Sequence, residues 1–93
     1  MKTITLQIGN SDDKLSQREW SIFCKLIDKQ VQSQAFAVHF SGCSMPDAPW
    51  QNACWVFEIE EDIIEHFQRD IKITRQIYRQ NSVAWIEGQT LFV

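Results

Sequence analysis

The chain is poor in the residues that loosen a backbone: three Gly and two Pro among 93. That leaves no stretch suited to a flexible linker or a low-complexity tail, so one globular domain over residues 1–93 is expected. The three cysteines are an odd number with no Cys-x-x-Cys pair, which argues against a disulfide framework. No apolar run approaches the ~20 residues that cross a bilayer. The opening residues alternate instead of forming a continuous hydrophobic signal segment. Charge of one sign is also scarce. Twelve acids against nine bases leave a net −3, too little for bulk attraction to nucleic acid or a membrane. A reducing, cytoplasmic setting is the simplest expectation.

What the chain does have is aromatic bulk, in six Phe, four Trp and one Tyr. A domain this short hides only roughly two-thirds of its unfolded surface, so its core is thin. Each aromatic side chain buries ~150–250 Å², and these residues must supply much of that core.

Period-two alternation predicts a strand over residues 2–8, with Ile4, Leu6 and Ile8 on one side and Thr3, Thr5 and Gln7 on the other. Gly9-Asn10-Ser11-Asp12-Asp13 is turn-forming, and Ser16-Gln17-Arg18-Glu19 has the form of a capping box. A helix from Ser16 to about Ser33 comes next, its buried stripe Trp20, Phe23, Ile27 and Val31, flanked by Ile22 and Leu26. Residues 35–41 alternate again, with Phe36, Val38 and Phe40 expected on the core side and Ala35, Ala37, His39 and Ser41 on the other. A loop over residues 42–52 carries Pro46 and Pro49, and residues 53–59 make the most hydrophobic strand. Glu60-Glu61-Asp62 opens a second helix with buried Ile63, Ile64, Phe67, Ile71, Thr74 and Tyr78, ending near Gln80 and Asn81. A strand over residues 82–87, a turn or bulge at Gly88 and a short last strand over residues 90–93 complete the pattern. The order β-α-β-β-α-β predicts an α+β, ferredoxin-like sandwich with both helices on one face of an antiparallel sheet, plus an extra short C-terminal strand.

Residues 40–59 concentrate the unusual side chains: Trp50, Trp55, Cys43, Cys54 and both prolines. Gln51-Asn52-Ala53-Cys54-Trp55-Val56-Phe57 is similar to the Cys-Trp segment around the nucleophile of papain-like proteases. A nucleophilic thiol needs a depressed pKa, commonly at a helix N-terminus beside a histidine, whereas Cys54 falls in a strand pattern. A buried, inert Cys54 is expected, and an enzyme using Cys54 with His39 is the lesser alternative. His39, Cys43, Cys54 and His66 lack the paired short spacing of a zinc site, and Asp12, Asp13 and Asp47 lack that of a calcium loop. No metal or cofactor is expected.

Arg69, Lys72, Arg75 and Arg79 fall on one side of the second helix, where they can bind phosphate or simply complement the helix dipole. The sheet face away from the helices should show Thr3, Thr5, Gln7, Ala35, Ala37, His39, Cys54 and Val56, a mixture suited to a partner surface. With its aromatics assigned to the core, that face does not suit RNA, which needs exposed rings on which bases stack. The loop over residues 42–52 is longer than a hairpin needs, and Met45, Asp47, Trp50, Gln51 and Asn52 are its candidate partner-binding residues. Trp50 either meets a partner or folds back as a lid on the core.

Three segments, Ile8-Gly9-Asn10-Ser11-Asp12-Asp13-Lys14-Leu15, Pro49-Trp50-Gln51-Asn52-Ala53-Cys54-Trp55 and Tyr78-Arg79-Gln80-Asn81-Ser82-Val83-Ala84-Trp85, are similar to those of small uncharacterised bacterial and phage-encoded proteins. They cover about a quarter of the chain. The resemblance implies a stand-alone protein that acts by binding, for example by blocking a host enzyme or defence complex, and it brings no catalytic residues. The expected partner is a host protein or a second copy of the chain as a homodimer. A small phosphorylated ligand on the basic helix face is the alternative.

Overall fold

The computed structural model describes residues 1–10, 12–45 and 47–93; Ser11 and Pro46, expected to help shape their loops, lie outside the described residues. The chain forms β1 (Lys2–Gly9), α1 (Gln17–Gln34), β2 (Ala37–Cys43), β3 (Asn52–Ile59), a 3₁₀ turn (Glu61–Ile63), α2 (Ile64–Ile77) and β4 (Ala84–Gly88). The four strands make one sheet in the order β2-β3-β1-β4, with every neighbouring pair antiparallel. This is the ferredoxin-like arrangement expected from the sequence.

Local chemistry sets the element ends. Ser16 Oγ accepts from the Glu19 backbone N–H and Glu19 Oε1 accepts from the Ser16 N–H, so the capping box closes as expected and starts α1. Trp20, Phe23, Ile27 and Val31 are all buried from that helix; Ile22 and Leu26, one step round it, are exposed. The inward sides of β1 and β3 supply Ile4, Leu6, Ile8, Ala53, Trp55, Phe57 and Ile59. Phe57, Phe67 and Trp85 form a three-ring cluster with centroids 5.6–6.3 Å apart, joining β3, α2 and β4. Phe23 stacks on Tyr78 at 5.1 Å and ties α1 to the end of α2. Just beyond that end Arg79 holds a left-handed φ of 59°, a conformation that costs a non-glycine residue ~1–2 kcal/mol. Its guanidinium donates to Glu19 Oε2 at 2.8 Å and to the Lys14 carbonyl at 3.2 Å, which holds the turn in place.

The structure departs from strict alternation in β2. Val38 pairs with Phe57, but Phe40 pairs with Val56, so His39 is one residue too many and the ladder bulges there. Every residue after the bulge changes side. Phe40 and Gly42 therefore share the side of Val56 and Cys54, away from the helices, while Ser41 and Cys43 turn toward them. Phe36 precedes the strand and Ala35 caps α1, so neither has the sheet position that alternation predicts, and Phe36 is exposed.

The expected strand over residues 90–93 is absent from the sheet. Past Gly88 the chain does not run beside β4. The Thr90 hydroxyl meets that of Thr3 on β1, and the Phe92 ring stands edge-on 6.5 Å from His39 on β2. The segment thus crosses the face of the sheet opposite the helices, hereafter the open face.

Phe67→Ala should lower stability by ~3–5 kcal/mol by opening a cavity in the ring cluster. Phe36→Ala, at a position alternation would bury, should change it by less than ~0.5 kcal/mol. Urea unfolding followed by circular dichroism measures both. Comparable losses would contradict the placement of Phe36.

Candidate functional site

The connection between β2 and β3 is the most distinctive surface element, and its base is built before its tip. Asn10, at the end of β1, is buried with every side-chain group engaged. Its Oδ1 accepts from the Leu15 N–H at 3.0 Å, and its Nδ2 donates to the Leu15 carbonyl and to Gln51 Oε1, both at 3.0 Å. The Asn10 backbone N–H donates to the Gln51 carbonyl at 2.9 Å, and Gln51 Nε2 donates to Gln17 Oε1 at 2.8 Å. Asn10 thus ties the β1–α1 turn to the entry to β3, and Gln51 extends the network to the first turn of α1. A Cβ at Gly9 would stand 2.8 Å from Asn52 Oδ1, so a larger residue there would have to displace the Asn52 side chain.

The other end is pinned too. The Ser44 N–H donates to the Asn52 carbonyl, Ser44 Oγ accepts from the Asn52 N–H, and the Ala48 N–H donates to the Met45 carbonyl. The loop is therefore residues 44–51, shorter than expected because β2 extends through Cys43 and β3 begins at Asn52. The five candidate residues divide accordingly. Gln51 belongs to the Asn10 network and Asn52 opens β3, whereas Met45, Asp47 and Trp50 are exposed around the rim. Trp50 is 54% exposed and Met45 72%, and both border a concavity with Gln17, Trp20 and Ala48.

The basic row is less uniform than helical spacing suggested. Arg79 lies past the end of α2 and is engaged by Glu19, whose carboxyl is held below its ordinary value chiefly by that hydrogen bond. Arg75 donates to the Gln80 carbonyl at 3.0 Å and, with Lys72, lines a groove between α2 and β4. Arg69 is exposed on the same helix.

Cys43 lies near Cys24 of α1, and the two histidines each sit beside a carboxylate. Cys43 is the last residue of β2 and exposed, not a loop residue as expected. Cys54 is half-buried on the open face, with Gln7 Nε2 4.0 Å from its sulfur, instead of fully buried. His39 Nε2 lies 3.5 Å from a Glu58 carboxylate oxygen on the open face. His66 sits on α2 beside Asp70. Among the described residues no group of three or more His, Cys, Asp or Glu could hold a metal ion. Burial, with a smaller contribution from Cys43 nearby, pushes the Cys24 thiol up to about 11. Among the described residues no helix is long and apolar enough to cross a membrane. No protein-family model matches this chain, and no curated protein matches it significantly.

Sequence reading missed Asn10 as the anchor of the loop; Gly9-Asn10 signalled a turn, but partners as distant as Gln51 leave no local trace.

Asn10→Ala would orphan both Leu15 backbone groups and Gln51, and should cost ~3 kcal/mol or more in urea unfolding. Gln17→Ala, at an exposed end of the same network, should cost under ~1 kcal/mol. Alkylation of the native protein resolved by mass spectrometry should modify Cys43 first and Cys24 last, since a thiol with a raised pKa holds little thiolate.

Proposed function

We propose that this protein is a non-enzymatic binding module that engages another macromolecule through the loop between β2 and β3. The observation that carries this reading is the exposure of Trp50 and Met45 on a loop whose two ends are fixed by hydrogen bonds. Anchored ends reduce the entropy lost on docking, and an exposed Trp is the side chain most enriched among binding hot spots. The competing role for Trp50, a lid on the core, sits poorly with a ring more than half exposed. His39 and His66 each sit beside a carboxylate, Glu58 and Asp70, and neither has a thiol as its recorded partner.

A host protein, such as an enzyme or defence complex, fits the similarity of three segments to phage-encoded proteins. The three free thiols fit a reducing, cytoplasmic setting. A second reading has one observation in its favour: Lys72 and Arg75 line the α2–β4 groove with Ser82, a combination suited to a phosphorylated small molecule.

Trp50→Ala should weaken capture of the partner from host lysate by ~2 kcal/mol or more in affinity while leaving the melting temperature nearly unchanged. A loss of ~3–5 kcal/mol of stability would instead make Trp50 part of the core. Calorimetric titration with a nucleoside phosphate separates the second reading, which requires that Lys72→Glu abolish binding.

A further inference from the structure

We propose that a second copy of this chain covers the open face of the sheet, making a face-to-face homodimer through a surface distinct from the loop. Phe40 pairs with Val56, Val56 with Thr5, and Thr5 with Ile86, so these four side chains stand in one row across all four strands. Adjacent strands lie ~4.8 Å apart, so the row is ~14 Å long. Its ends are its bulky members. Phe40 is 57% exposed on one edge strand and Ile86 53% on the other, with Val56 half-buried between them. The bulge at His39 is what brings Phe40 to this side.

The charge on this face selects the occupant. The chain has 21 formally charged residues, nine basic and twelve acidic. Among the described residues that β1, β2, β3 and β4 present on the open face, Glu58 is the one such residue, and His39 lies beside it. A surface without Lys or Arg gives no grip to nucleic acid, and β1 and β3 present no aromatic there on which a base could stack. A nearly uncharged surface placed against its own copy meets no like-charge repulsion, which is the requirement of a two-fold interface.

Size agrees. The molecule measures 36 × 30 × 19 Å, so its broad side is large enough for the ~800 Å² per partner of a standard interface. The segment after β4 crosses the same side and leaves Leu91 and Phe92 exposed there, adding apolar surface for the second copy to cover.

Sedimentation or native mass spectrometry of the full chain should give about twice the 10.9 kDa chain mass at micromolar concentration. Phe40→Asp and Ile86→Asp should each shift it to the monomer with the helical circular dichroism unchanged. Ile77→Asp, on the exposed outer side of α2, and Trp50→Ala should leave the dimer intact, so this result is separable from the fate of the loop reading. A readout on the unmodified chain guards against variants that fail to fold. Cys54 lies one row from the Phe40 row, so its alkylation should slow severalfold as protein concentration rises, while that of Cys43 stays constant. A monomer throughout the micromolar range, a dimer that survives both face variants, or a Cys54 rate independent of concentration would overturn the proposal.

Discussion

The structure depends on a buried amide. Asn10 replaces at one point the backbone pairing that a turn cannot supply for itself, accepting from and donating to Leu15 while reaching Gln51 across the molecule. Buried polar groups are tolerable only when satisfied, and a satisfied one is specific in a way that apolar contact is not. The apolar core would accommodate small shifts of α1 against the sheet. The amide geometry would not, because two of its bonds hold Leu15 ahead of α1 and the third holds Gln51 ahead of β3. The surface loop inherits this rigidity at Gln51, so an element that looks peripheral is anchored in the interior.

The bulge in β2 has the opposite character. It adds one residue to an otherwise regular ladder and inverts the rest of the strand, so Phe40 leaves the core for the open face while Ser41 and Cys43 face α1. The ring cluster of Phe57, Phe67 and Trp85 lies toward the other edge of the sheet, between β3, β4 and α2. Two surfaces of different kinds result. One is a loop pinned at both ends with Trp50 exposed beside its anchor, and the other is a nearly uncharged sheet face with bulky residues at its margins and the segment after β4 lying across it.

Most of the fold was legible in the sequence because it rests on local signals. The Ser16–Glu19 capping box, the Trp20/Phe23/Ile27/Val31 stripe and the alternation of β1 and β3 each declare themselves within a few residues. The bulge was not legible, since nothing in Val38-His39-Phe40 distinguishes a regular strand from an interrupted one; the partner strand decides. The path of residues 89–93 failed for a similar reason. A short β-rich segment reads as a strand whether or not an edge is aligned to receive it. The candidate site was half legible. Met45 and Trp50 are exposed, but the structural duty of Gln51 and the engagement of Arg79 by Glu19 arise from residues far apart in the chain.

The bulge also bears on solubility. Strand β2 is an outer strand of the sheet, and an unbroken outer strand offers a regular row of backbone donors and acceptors to which another chain can add. At Val38–Phe40 that row loses its regular spacing, so a strand approaching from outside cannot stay in step along its full length. The opposite outer strand, β4, is only five residues long and offers little to pair with. An irregularity that exposes a phenylalanine thus also hinders the open-ended edge-to-edge stacking from which fibrils grow.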